Sequence, residues 1–146
     1  MDRHFVDTNL FLRFLTNDIP DQAHAVDQLL MRAEQGELRL YTSSLTIAEI
    51  VWTLESYYEL SSEVVRDHVV AILNTPGLFV EHAELIARAM ILYADENIDF
   101  VDAYNGVWMQ EQGLSSAITF DTKHFQRIPG IVTHTPMDLD QEGFAD

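Results

Sequence analysis

Short runs of apolar residues recur along this chain, each followed by a longer stretch with helical spacing. His4-Phe5-Val6, Leu38 to Thr42, Leu78-Phe79-Val80, Ser116 to Phe120 and Ile131 to Thr133 read as strands, the first of them a short buried one. Between them lie helical stretches: Leu10 to Leu15, Pro20 to Gly36, Ser43 to Tyr58, Ser61 to about Thr75, Glu81 to Asn97, and Asp99 to Gly113. Pro20 suits a first helical turn, and Ser43 to Thr46 and Ser61-Ser62 offer N-caps. Short apolar strands separated by helices, Leu38 to Thr42 alternating, predict an α/β protein with a parallel sheet covered on both faces.

At 146 residues with 47% hydrophobic composition, the chain can build one real core but not two of ordinary size. The region after Pro136, with Asp138, Asp140, Glu142 and Asp146, reads as a frayed, flexible acidic tail. The absence of cysteine excludes disulfides and thiolate metal sites. No apolar run approaches the roughly 20 residues of a membrane span, and Met1-Asp2-Arg3-His4 does not read as a signal peptide. A cytoplasmic protein without membrane association is the expectation. The net charge of −16, with Lys123 the single lysine, leaves no room for a broad basic stripe. Any nucleic acid must then be held by bound cations and a few arginines, or by a dimer that pools them.

Ligands of open parallel sheets bind at the carboxyl ends of the strands. Two strands end there in aspartate, Val6-Asp7 and Phe120-Asp121, and helices that follow strands begin at the same edge. Glu49 lies about one turn into its helix, and Asp102 stands one turn into another, three residues after Asp99 on the same face. Each acid also has a structural explanation. Thr46 to Glu49 fits a capping box, Asp99 an N-cap with Asp102 at N3, Asp121 a cap for the turn Thr122 to Phe125, and Asp7 a strand end. Together they are harder to explain that way, because clustered carboxylates repel by roughly 1 kcal/mol per close pair in water and about 4 near a protein surface. A cation or a held proton relieves that. With oxygen donors and no histidines at metal-binding spacing, Mg2+ or Mn2+ is the expected guest. Such an ion acidifies a water, orients it and stabilises the leaving oxygen, which suits phosphodiester hydrolysis.

Phe5-Val6-Asp7-Thr8-Asn9, then Ala48-Glu49, then Asp99-Phe-Val-Asp102-Ala103, then Thr119-Phe120-Asp121, resembles the PIN domain. More narrowly it resembles the VapC-type toxins of bacterial and archaeal toxin–antitoxin pairs. The likeness runs from residue 4 to about 134, so the domain would span residues 1–135 and the acidic tail 136–146. It implies an α/β/α sandwich with a central, mainly parallel β-sheet of four to five strands. It also implies Mg2+- or Mn2+-dependent cleavage of RNA, a homodimer, and inhibition by a cognate antitoxin. Asp7, Glu49, Asp102 and Asp121 match the family's catalytic, metal-binding acids. Asp99 matches an accessory acid, and Thr8, Asn9 and Thr119 match polar positions that hold the carboxylates by hydrogen bonds. Asn105 and Gly106 depart from the usual apolar or small residues after Asp-Ala, and the net acidity departs from neutral or basic members.

Leu10 to Leu15 is apolar on more than one helical face. It reads as a buried helix or, alternatively, as part of a groove for an antitoxin helix. Other acidic-pocket proteins fit less well. A receiver domain needs adjacent acids after the first strand, and a haloacid-dehalogenase-type phosphatase needs Asp-x-Asp, whereas here Thr8 and Asn9 follow Asp7. The closer alternatives are a housekeeping PIN nuclease without an antitoxin, and a PIN-like domain that binds RNA or protein without cleaving.

Overall fold

A computed structural model describes residues 2–142, with side chains to Leu139. The chain divides between Ala87 and Arg88 into two compact units. The dividing point falls inside a helix, α5 (Ala83–Asp95).

The first unit carries β1 (Asp2–Phe5), α1 (Thr8–Thr16), α2 (Pro20–Glu34), β2 (Leu38–Thr42), α3 (Ser44–Ser56), α4 (Ser62–Leu73) and β3 (Leu78–Val80). Its sheet is parallel in the order β1-β2-β3, with Phe5 opposite Tyr41 and Tyr41 opposite Phe79. Parallel neighbours need a crossover, which the helix pairs α1–α2 and α3–α4 provide. Leu38, Leu40, Thr42 and Leu78 are buried, together with Phe11 and Leu12 of α1, Ile47, Ile50 and Leu54 of α3, and Val65, Val69 and Ile72 of α4. Apolar faces of these helices at three- and four-residue spacing explain that core. On the other face of the sheet Tyr41 stacks on Phe79, their ring centroids 5.2 Å apart, and the Arg39 guanidinium lies 5.9 Å from the Phe79 ring.

The first strand departs from its expectation as a buried element. All four side chains of β1 are exposed, Phe5 by 65%, and burial begins only at Val6. Among the described residues β1 ends the order of its hydrogen-bonded sheet, pairing with β2. Its carboxyl end is nevertheless fixed. The Val6 N–H donates to the Tyr41 carbonyl at 2.8 Å, and the buried Thr42 hydroxyl donates to the Val6 carbonyl at 2.8 Å. Tight turns close the unit elsewhere. Gly77 takes φ +78° and lies so near the backbone of Ala33 that no Cβ would fit.

The second unit holds the rest of α5, then α6 (Phe100–Glu111), β4 (Ser116–Ile118), α7 (Thr122–Phe125), β5 (Val132–His134) and α8 (Pro136–Glu142). Here β4 and β5 form a two-stranded parallel sheet. The fold class is thus α/β with parallel strands throughout, hydrogen-bonded as a three-stranded and a two-stranded group. Gly106, fully inside α6, has a packing reason: a Cβ there would collide with Cδ1 of Ile128 and come within 3.1 Å of its Cγ2. Removing the side chain lets buried Ile128 seat against the helix.

The expected frayed tail is corrected over its first half, since Pro136 to Glu142 form α8. The cause is a reciprocal cap with proline in the first turn. The Thr135 N–H donates to Asp138 Oδ2 at 2.9 Å, and the Asp138 N–H donates to Thr135 Oγ1 at 3.2 Å. The Thr135 N–H, and secondarily the Thr135 hydroxyl, hold the Asp138 carboxyl below the usual aspartate range. Residues 143–146 of that segment lie outside the described residues. Among the described residues, no helix is long and apolar enough to cross a membrane.

Candidate metal centre and active-site acids

In the first unit, the carboxyl edge of the sheet carries Asp7, Glu81 and the start of α3. Asp7 is exposed and occupies the N-cap of α1, its carboxylate accepting from the Leu10 N–H at 3.4 Å. That is a long, weak cap. Thr8 is buried as the first residue of α1, whereas Asn9 is exposed. For Glu49 the expected alternative of a capping box with Thr46 does not form. Ser43 is the N-cap, with its hydroxyl accepting from the Thr46 N–H at 3.2 Å, so Glu49 lies two turns along α3 with an exposed side chain.

The acid that secures the start of α3 is one the sequence reading missed. Glu81 Oε1 accepts from the Ser44 hydroxyl at 2.8 Å and from the Ser44 N–H at 3.2 Å. The Ser44 hydroxyl, and secondarily its N–H, hold the Glu81 carboxyl below the ordinary glutamate range. Glu81 reaches that position because β3 ends beside β2, where its own N–H donates to the Thr42 carbonyl at 3.0 Å. The signal was present in the sequence as an acid immediately after a strand, the same signal that marked Asp7.

In the second unit, three ligand-type side chains converge. One donor atom each from Asp102, Asp121 and His124 lie within 4.8 Å of one another. His124 Nδ1 is 3.1 Å from Asp102 Oδ2 and 3.7 Å from Asp121 Oδ2. Asp102 sits in the first turn of α6, and Asp121 and His124 are three residues apart around α7. The side chains of Asp102, His124 and Asp121 are 25%, 30% and 60% exposed, so the cluster is open to solvent. Thr119 acts on this group through backbone, its hydroxyl accepting from the Asp121 N–H at 3.0 Å. Asp99 stands at the N-cap of α6 yet makes no side-chain capping bond, and Asp121 stands likewise at the start of α7. Both expected capping bonds are therefore absent among the described residues.

His124 was not among the sequence candidates, because six histidines scattered singly through the chain show no ligand spacing. The missed cue is Asp121-x-x-His124, an i,i+3 pair that a single helical turn brings together. Two carboxylates and an imidazole are a chemically reasonable donor set for a divalent cation, provided the ring presents an unprotonated nitrogen. Of the four acids expected to bind metal, this set contains Asp102 and Asp121, and its imidazole is a nitrogen donor that the all-oxygen expectation did not include.

Residues 4–131 match the PIN domain family over most of the chain's length. The chain belongs to the PIN domain family. It is 26% identical over 133 residues to a protein named VapC ribonuclease from Aquifex aeolicus (strain VF5), a match covering 91% of this chain and 96% of that one. It is also similar to a chain in the crystal structure of VapBC2 from Rickettsia felis bound to a DNA fragment from their promoter. There the identity is 14% and the TM-score 0.36, with 92% of this chain and 98% of the other covered.

Proposed function

We propose that this chain is a metal-dependent endoribonuclease and the toxin of a toxin–antitoxin pair. What carries the reading is family membership together with the ordered acids, above all the meeting of Asp102 and Asp121 in the second unit. The name of the Aquifex aeolicus relative supports ribonuclease activity. The reading assigns Asp102, Asp121, Asp7 and Glu49 to metal and water handling, with Asp99, Thr8, Asn9 and Thr119 in support.

A Mg2+ or Mn2+ ion held by Asp102 and Asp121 would supply an acidified water and neutralise charge on the scissile phosphate. The chain's own part is electrostatic and positional. Asp102 is fixed by the first turn of α6, and the Thr119 hydroxyl holds the Asp121 backbone at the start of α7. A carboxylate left uncoordinated can take the proton from the attacking water, and no side-chain nucleophile is required.

The charge distribution supports docking through bound cations. Arg13, Arg32, Arg66 and Arg88 each lie within salt-bridge distance of a carboxylate, so much of the small basic complement already has an acidic neighbour. For the antitoxin, the exposed edge of α1 is the candidate surface. Phe11 and Leu12 face the core, but Phe14 is 41% exposed, and Asn9, Leu10 and Arg13 line a shallow groove with Gln22, Ala25 and Val26 of α2.

The test is cleavage of defined RNAs by purified chain after EDTA treatment, then with Mg2+ or Mn2+ restored. The reading expects activity only with the ion present and its loss in Asp102→Asn. Equal cleavage in EDTA would overturn metal dependence.

A further inference from the structure

We propose that His124 is itself a ligand of the metal centre, and that its nitrogen makes this centre prefer a first-row transition-metal ion such as Mn2+ over Mg2+. The inference rests on the reading of Asp102 and Asp121 as metal ligands and goes beyond it by adding a nitrogen donor and a consequence for selectivity.

The geometry holds His124 toward both carboxylates. Its Nδ1 is the atom nearest Asp102 Oδ2, at 3.1 Å, and the same atom is 3.7 Å from Asp121 Oδ2. An ion placed among the three donor atoms replaces the contacts that they now make with one another. The ring offers Nδ1 for this as the tautomer that carries its hydrogen on Nε2.

Several anchors fix the segment that carries it. Ile128 is buried in contact with Gly106 of α6. The Arg127 guanidinium donates to the Asn97 carbonyl at 2.9 Å, just before α6. The Gln110 side-chain amide donates to the Pro129 carbonyl at 3.0 Å. These contacts bind residues 127–129 to both ends of α6, so the turn bearing His124 is held against the helix that bears Asp102. A ligand set on supported elements keeps its geometry without the ion.

The chemistry then separates the ions. Mg2+ is hard, takes oxygen donors and gives up its waters reluctantly. Mn2+, the weakest binder of the first transition row, shares the preference of Mg2+ for oxygen donors but accepts an imidazole more readily than Mg2+ does, and the later ions of the row more readily still. The bland alternative is that His124 only hydrogen-bonds Asp102 and would leave both ions equally affected.

Pulsed EPR on the untagged, Mn2+-loaded full chain tests this, alongside calorimetric titrations with Mn2+ and with Mg2+. The wild type should show 14N modulation from a directly bound imidazole, and His124→Gln should lose it. His124→Gln and His124→Ala should weaken Mn2+ binding about tenfold or more, with Mg2+ binding changed less than about threefold. Two variants are used because only folded protein, checked by circular dichroism, is informative. Absence of 14N modulation in the wild type, its persistence in both variants, or equal weakening of both ions would overturn the proposal. Asp102→Asn separates this from the underlying reading. If it leaves Mn2+ affinity unchanged, the carboxylate site itself fails. If it abolishes binding while His124→Gln does not alter it, only the histidine's role fails.

Discussion

The acids of the two units stand at similar places, beside strand ends and helix starts, but they are bonded differently. In the first unit such acids serve as caps: Asp7 accepts from the Leu10 N–H, and Glu81 secures the start of α3 through Ser44. In the second unit Asp99 and Asp121 occupy N-cap positions without making the capping bond, and the Asp102 carboxylate meets His124. A carboxylate bonded to a helix N-terminus already has its charge stabilised. One gathered with another carboxylate and an imidazole is stabilised further by a cation. The second unit is therefore where the structure itself argues for a metal, while Asp7 and Glu49 owe their assignment to the family pattern.

That contrast can be broken by substitution. Asp102→Asn should reduce RNA cleavage by about a hundredfold or more, as expected for an electrostatic group at the reacting centre. Its melting temperature should not fall, because a repelling charge has been removed. Glu81→Gln should do the reverse, sparing the chemistry while loosening α3, as read from amide exchange at Thr46 and Ile47. If Glu81→Gln abolished cleavage with α3 intact, Glu81 would be more than a cap.

Next in size come backbone constraints of the first unit. Gly77→Ala should cost roughly 2–4 kcal/mol in chemical denaturation, since it adds a left-handed penalty to a clash with the Ala33 backbone. Ser43→Ala, which removes only the α3 cap, should cost about 1 kcal/mol. A reversed order would show that the turn before β3 yields more readily than its geometry indicates.

The smallest effect is a pH dependence. The Glu81 carboxyl is held below its ordinary value of 4.5, chiefly by the Ser44 hydroxyl. A lowered folded-state value means that its contribution to stability is present in full above the unfolded value and is lost as pH falls through the folded one. NMR titration should therefore show Glu81 protonating below 4.5, with amide exchange at the start of α3 rising over the same interval. An unshifted Glu81 titration would contradict the cap.

The sequence carried the periodic elements well, for physical reasons visible at particular residues. Leu38–Thr42 and Leu78–Val80 have the expected bounds because turn signals delimit each one: Gly36 before the first, Ser43-Ser44 after it, and Pro76-Gly77 before the second. Helix α3 begins one residue beyond Ser43, as its cap requires. What local sequence did not carry was tertiary. Exposure of β1 depends on what covers its two faces, and residue pattern alone does not reveal that. The start of α8 depended on a short reciprocal cap, Thr135 with Asp138, hidden in a segment that composition marked as tail. The candidate acids were legible as acids, but the Ser44–Glu81 bond joins residues 37 apart, and His124 reaches Asp102 across 22 positions.

The central proposal is that Asp7, in the first unit, and Asp102, in the second, are each required for RNA cleavage. It is tested most directly by single-turnover cleavage of one labelled RNA with Mn2+, comparing wild type, Asp7→Asn and Asp102→Asn. Melting temperatures should be recorded for each, because Asp7 also caps α1. The account predicts that both folded variants cleave about a hundredfold more slowly or worse. Cleavage at the wild-type rate by either one would contradict it.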